Sequence, residues 1–287
     1  MRCLRSIPWF LEPLLICGWT AVFFGIAGTQ RRAVMGNLGA MFPTWSLLRR
    51  FCGAYRVFWN FAATYVDALR VETGTGQVDW AIDGIADFEE MAASRQGCII
   101  LTAHMGNYDM AASLFSEHFG RTVYAVRAPE REPEMQVIKE EEMRRKEQQH
   151  PLFKTLYNEG GEMLGVELAR ILREGMVVAI QGDRVVFEVS GMEVEVEQGL
   201  RMALPRGPLM LARISGAPVY PLFIIREGWR RYRVQVFAKL ELPPRQRGSE
   251  PAAGPWALAM YEVCRNHWPQ WSVFEPVFQR SGKGGRA

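Results

Sequence analysis

Between Ile7 and Gly28 the chain carries a single charged residue, Glu12, in a stretch that reads I-P-W-F-L-E-P-L-L-I-C-G-W-T-A-V-F-F-G-I-A-G. A run so apolar has to lie in lipid, be buried in a core or be removed, because a water-exposed helix needs a polar face. As one helix it would extend roughly 33 Å, about the hydrocarbon thickness of a bilayer. Pro8, Glu12 and Pro13 spoil its first third, and the uncharged remainder is short for a complete crossing. The expectation is a membrane-associated helix, spanning or re-entrant, with Trp9 and Trp19 placed for an interface. A cleaved signal peptide, with Gly25 and Ala27 near the cleavage point, and a buried core helix are the alternatives. Arg2 and Arg5 before the segment and Arg31 and Arg32 after it leave its orientation undecided by charge. The cysteines Cys3, Cys17, Cys52, Cys98 and Cys264 are odd in number, scattered and without a C-x-x-C pair. That pattern argues against export, a disulfide framework and a structural zinc site.

Downstream, the pattern changes. Leu47, Leu48, Phe51, Tyr55, Phe58, Trp59, Ala62 and Tyr65 recur at spacings of three and four, which predicts a long helix over 44–71, broken by Gly74-Thr75-Gly76. Short apolar strands then alternate with amphipathic helices. Strands are expected over 98–103, 122–126, 176–181, 218–225 and 232–240, and helices over 107–118, 132–150, 162–173, 208–215 and 256–266. This alternation is that of an α/β protein, a mixed central sheet flanked by helices, whose functional residues belong just past the carboxyl ends of the strands. The expected organisation is an N-terminal anchor helix over 1–30, one globular domain over 31–280 and a polar tail over 281–287.

A formal charge of +3 gives no support to a nucleic-acid binder. The distribution is more informative. Residues 128–199 hold 16 acidic and 9 basic side chains, and residues 200–247 hold 10 basic and 2 acidic. Arg201, Arg206, Arg213, Arg226, Arg230, Arg231 and Arg233 suggest an anionic partner for one face, a solvated surface being the alternative for most of them.

His104 is the most informative of the four histidines. It ends a buried-looking strand in I-I-L-T-A-H-M-G-N-Y-D, with Gly106 for a tight turn and Asn107 to cap the following helix. Asp109, in the first turn of that helix, could accept from one imidazole nitrogen and leave the other as a base. Such a pair has no nucleophile of its own, so the nucleophile, naturally a hydroxyl, arrives with the substrate. The structural alternative is a satisfied strand-end histidine and a carboxylate facing a helix dipole. Cys98 begins the strand and reads as packing rather than as a nucleophile.

The hexapeptide H-M-G-N-Y-D resembles the H-x4-D/E signature of glycerolipid O-acyltransferases. Its H-x-G-N-aromatic-D/E form resembles the lipid A biosynthesis acyltransferases, the lauroyl and myristoyl transferases, and is shared by phosphatidylinositol mannoside acyltransferases. Three more blocks, in the same order, are similar to that family: Arg31–Pro43 (R-R-A-V-M-G-N-L-G-A-M-F-P), Leu204–Arg226 with its Pro-x-Gly turn and Gly-Ala pair, and Trp268-Pro269-Gln270-Trp271. The chain departs from the lipid A pattern at Asp109, where Glu is usual, and at Gln181-Gly182-Asp183-Arg184, where Asp-Gln is common.

The resemblance implies a glycerolipid-acyltransferase-like fold and a membrane-associated O-acyltransferase without metal or other cofactor. It implies transfer from acyl carrier protein, or coenzyme A, to a glycolipid hydroxyl at the cytoplasmic face of the inner membrane. A lipid A precursor is the leading acceptor; a mannosylated inositol lipid or other lysolipid is the alternative. His104 would be general base and Asp109 its orienter. Gly106, Asn107, Asp183, Arg184, Arg206 and Arg226 would contact substrate. From another class, the chain could be a non-catalytic lipid-binding module that keeps the fold.

Overall fold

The computed structural model describes residues 8–130, 132–158, 163–185, 190–242 and 254–280; the tail over 281–287, Ile7, Glu162 and the flanking Arg2 and Arg5 lie outside them. In chain order the elements are α1 (Glu12–Ile26), α2 (Gly28–Met41), α3 (Leu47–Glu72), β1 (Asp79–Asp83), α4 (Ile85–Ala93), β2 (Cys98–Thr102), α5 (Tyr108–Phe119), β3 (Val123–Arg127) and α6 (Pro133–Gln149). They continue with β4 (Phe153–Tyr157), α7 (Met163–Arg173), β5 (Val177–Gln181), β6 (Gly191–Glu197), β7 (Leu200–Pro205), α8 (Gly207–Ser215), β8 (Val219–Gly228), β9 (Arg231–Val236), α9 (Gly254–Asn266) and β10 (Phe278–Arg280).

A seven-stranded sheet runs in the order β1-β9-β8-β2-β5-β3-β4, and β6, β7 and β10 form a second, antiparallel sheet. The large sheet is mixed, as expected for this chain: β8 and β9 are antiparallel, and the other neighbours run parallel. Strand β2, C-I-I-L-T, is buried along its whole length. Its alternate residues serve two cores. Ile99 and Leu101 join Val178, Leu168, Ile171, Leu209, Trp256 and Met260 on one face, while Cys98 and Ile100 join Phe88, Met91, Met110 and Phe119 on the other. Covering both faces is what makes the central strands read as continuous apolar runs.

Helix α3 starts where Ser46 Oγ accepts from the Arg49 N–H at 3.3 Å, and Ala54, Val57, Phe58 and Ala62 give it a buried stripe at helical spacing. The N-terminal segment differs from a single rod. Helices α1 and α2 are bent by 96° at a break around Ala27, and no single helix among the described residues is long and apolar enough to cross a membrane. Both halves are tied down. Glu12, only 2% exposed, pairs with Arg70 at 2.6 Å and Arg230 at 3.0 Å, and the buried Asn37 donates to the Glu275 carbonyl at 2.9 Å and accepts from the Val277 N–H at 3.2 Å. The charge that spoils an apolar span therefore has a partner inside the protein, which removes the cost of burying it alone.

Strands β1, β4, β6, β7 and β10 have no counterpart in the expected elements. Strands β1 and β4 are short and lie at the edges of the large sheet, where the apolar signal is thin, and β6 and β7 belong to the small sheet, where buried residues alternate with exposed or half-buried ones. In β6 the acidic residues of G-M-E-V-E-V-E alternate with Met192, Val194 and Val196, the period of a half-covered strand.

Candidate active site

Strands β2 and β5 are parallel neighbours, and Thr102 stands opposite Gln181 at their carboxyl ends. Two residues further along each strand are His104 and Asp183. Adjacent parallel strands of equal register therefore deliver these side chains to one place. The ladder extends one step beyond the strands, where the Gly182 N–H donates to the Thr102 carbonyl at 2.9 Å. A Cβ on Gly182 would approach Leu101 Cδ1 to 2.6 Å, so glycine lets Asp183 sit this close to β2.

His104 Nδ1 lies 2.7 Å from Asp183 Oδ1, and the His104 backbone N–H donates to Asp183 Oδ2 at 2.8 Å. The Trp271 indole N–H donates to the same Oδ2 at 2.9 Å. Asp183 is fully buried and His104 is 16% exposed. A carboxylate only accepts, so the imidazole proton belongs on Nδ1 and Nε2 keeps its lone pair. Burial alone would raise the Asp183 carboxyl; the charge and hydrogen bonds of His104, together with Trp271, outweigh it and hold the group below its ordinary range. Tyr108 packs edge-on against the imidazole with ring centroids 5.4 Å apart.

The sequence-based pairing of His104 with Asp109 is not the one the structure makes. Gly106 takes φ +57°, and a Cβ there would fall 2.2 Å from the Ile224 carbonyl oxygen. This tight turn sends the chain into α5, whose first turn presents Asp109 to Arg127 at the end of β3. Lys139 of α6 stands 3.8 Å from the other Asp109 oxygen. Burial works to raise the Asp109 carboxyl, but Arg127, Lys146 and Lys139 hold it lowered.

His104 lines a cleft of about 1140 Å³. Its walls combine apolar side chains, among them Phe23, Phe61, Leu164, Leu168, Leu211 and Phe274, with Arg32, Arg127, Arg184, Glu130, Glu132 and Glu275. The volume exceeds the roughly 300–1,000 Å³ of ordinary small-molecule pockets and suits a lipid.

A model of the bacterial lipid A biosynthesis acyltransferases matches residues 1–280. The chain belongs to that family. It is an acyltransferase. A comparison with curated proteins returned no match.

The remaining expected contacts of this acyltransferase divide between cleft and framework. Arg184 lines the cleft and pairs with Glu275 at 2.6 Å. Gly106 makes the turn, and Asn107, 6% exposed, donates to the Thr64 carbonyl of α3 at 2.9 Å. Arg226 is sequestered, with its Nε 3.1 Å from the fully buried Asp67 and its guanidinium over the rings of Trp59 and Trp229. Arg206 precedes α8 beside the cleft residues Pro205 and Gly207. The expected basic face is not assembled as one surface. Arg201 pairs with Glu193, Arg230 with Glu12, and Arg233 with Asp83 and Glu227, while Arg231 is exposed. A paired charge facing its own fold has little left for a ligand.

Arg32, Arg127 and Trp271 were missed as site residues. Arg32 and Trp271 lay within the family-like blocks, which carried no information on which side chains face the cleft. The buried thiols offer no nucleophile: burial pushes Cys98 up to about 11 against the lowering by Arg121, and pushes Cys264 well above the usual thiol range.

Proposed function

We propose that the acyltransferase moves a fatty acyl chain from the thioester of an acyl carrier protein to a hydroxyl of a lipid A precursor, with His104 as general base and Asp183 as its orienter. The observation that carries this reading is the 2.7 Å contact between the imidazole and a fully buried carboxylate on the floor of a lipid-sized cleft. His104 Nε2 takes the proton of the acceptor hydroxyl as its oxygen attacks the thioester carbonyl carbon. The C–O bond forms, the carbonyl oxygen becomes an oxyanion, and collapse breaks the C–S bond. The departing thiolate recovers the proton from the imidazolium, which Asp183 stabilises meanwhile. Arg32, on the wall of the same cleft, supplies positive charge for a phosphorylated acceptor, while Arg184 beside it is held by Glu275.

The membrane side of the proposal rests on α1. Ile16, Thr20 and Phe24 turn one stripe of the helix inward, while Leu14, Trp19, Val22 and Ile26 are 64–76% exposed on the other. Leu47, Leu48 and Phe51 of α3 are exposed as well, and Phe51 stacks edge-on against Phe24. A patch of this composition calls for a covering surface. With α1 and α2 both pinned by buried polar contacts, the pair lies on one leaflet without straightening into a span. That leaflet is the cytoplasmic face of the inner membrane, where the carrier protein delivers its thioester. Phe23 and Arg32 connect this face to the cleft.

The test is transfer of a labelled acyl chain from acyl carrier protein by detergent-purified protein to a panel of a lipid A precursor, a mannosylated inositol lipid and a lysophospholipid. Transfer to the first is expected. Transfer only to the second or third overturns the acceptor, and lipid binding without any transfer overturns the catalytic reading.

A further inference from the structure

None of Gln270, Trp271 and Ser272 lines the cleft, yet together they hold its floor. The Trp271 indole reaches Asp183, and its backbone bridges Met105 in an isolated antiparallel pair. Ser272 donates to the His104 carbonyl twice, from its N–H at 2.8 Å and from its hydroxyl at 3.0 Å. Gln270 accepts from the Arg226 N–H at 2.5 Å and donates to the Arg226 carbonyl at 2.8 Å, which fixes this short segment to β8. On its other side the segment meets the N-terminal helices. Trp268 packs edge-on against Trp45 at 5.2 Å, and Phe274 against Phe58 at 5.0 Å.

Asp183 accepts three hydrogen bonds, but two come from His104 itself, one from the ring and one from the backbone. A carboxylate held only by those two could move together with the imidazole as one unit. Among the described residues, the Trp271 N–H ties the carboxylate to the rest of the fold, and Ser272 fixes the loop that carries the imidazole.

We propose that Trp271 and Ser272 are positioning residues for acyl transfer, Trp271 by fixing the carboxylate of Asp183 and Ser272 by fixing the backbone of His104. The proposal rests on the reading of His104 and Asp183 as the base and its orienter. It accounts for the Trp-Pro-Gln-Trp element, which lines no part of the cleft and, among the described residues, meets it only where Trp271 packs against Phe278.

Kinetics with Trp271→Phe, which keeps an aromatic ring and removes the N–H, test it. The expected result is a kcat lower by roughly tenfold with KM within about twofold, since the lost bond orients the base and does not bind substrate. The pH–rate profile changes as well, because the carboxylate that orients the base has lost one of its three hydrogen bonds. Besides His104, the groups facing Asp183 are Tyr108 of α5, Cys264 of α9 and its neighbour Arg184; burial pushes the phenol and the thiol up, so neither titrates near neutral pH. Ser272→Ala lowers kcat by about threefold, as the backbone bond remains.

In an Asp183→Asn background Trp271→Phe has little further effect. Equal losses in both backgrounds, or a folded Trp271→Phe with the wild-type rate and profile, overturn the proposal. If Trp271→Phe does not fold, the Trp271 indole N–H resonance is followed in Asp183→Asn by NMR: a shift supports the contact and an unmoved resonance overturns it. Should His104→Ala keep full activity, the reading of the base falls and this proposal with it. An inactive His104→Ala beside a wild-type Trp271→Phe overturns the proposal alone.

Discussion

At the scale of single residues, Asp183 takes the part that spacing assigns to Asp109. Five residues separate Asp109 from His104 in sequence, but its carboxylate belongs to Arg127 and Lys139. Asp183, 79 residues away, holds the imidazole. The two substitutions should therefore fail differently. His104→Ala lowers kcat/KM by about 10²–10⁴ with the thermal midpoint little changed, as loss of a general base predicts. Asp183→Asn loses activity in the same direction, since an amide cannot stabilise the imidazolium as a carboxylate does. Asp109→Asn instead leaves Arg127 largely buried without its counter-charge and costs about 2 kcal/mol, visible as a lower midpoint in urea denaturation. Its remaining folded fraction is active. An Asp109→Asn protein with wild-type stability and no turnover would restore Asp109 to the dyad.

At the scale of elements, the apolar N-terminal run shows what periodicity can and cannot convey. Its length and composition marked a segment that shuns water, and Glu12 looked like a defect in it. In the folded chain Glu12 is the point of attachment, pinned between Arg70 of α3 and Arg230 in the turn between β8 and β9. Glu12→Gln removes the charge complement of two arginines and loosens α1, detectable as faster amide exchange across 12–26. The exposed side of α1 makes the opposite prediction. Leu14→Glu with Trp19→Glu leaves the fold intact and abolishes co-sedimentation with anionic vesicles; retained sedimentation would remove α1 as the membrane contact. The long helix α3 was legible to within three residues, Leu47–Glu72 against the expected 44–71, but the apolar face read from spacing shares only Phe58 and Ala62 with the buried stripe of Ala54, Val57, Phe58 and Ala62, while Leu47, Leu48, Phe51 and Tyr65 are exposed. Strands β6 and β7 were not, although Met192, Val194 and Val196 and then Leu200, Met202 and Leu204 alternate as a half-covered hairpin requires; the intervening Glu193, Glu195, Glu197 and Arg201 dominate the local composition.

At the scale of the whole molecule, acid sensitivity follows from the lowered carboxyls. Both Asp109 and Asp183 sit below their unfolded values, so the stability they contribute is fully present above about pH 4 and is lost as pH falls through the folded values. Denaturation midpoints measured from pH 6 down to pH 3 should fall, and Asp109→Asn should fall less steeply than wild type. A flat profile would mean that these groups are not ionised partners in the fold. Spacing and composition specify the α/β class, most central strands and helices, an unusually apolar N-terminus, and His104 as the residue to watch. Those features are local: they depend on spacing along the chain, and spacing is what a sequence records. Which carboxylate meets the imidazole, that Arg226 supports the framework while Arg184 faces the cleft, and that Glu12 closes a buried ion pair come from the fold. Each of these depends on which distant strands become neighbours and in what register. The order β8-β2-β5-β3 is chosen by packing two covered faces at once, and that choice, rather than any motif, sets Asp183 beside His104.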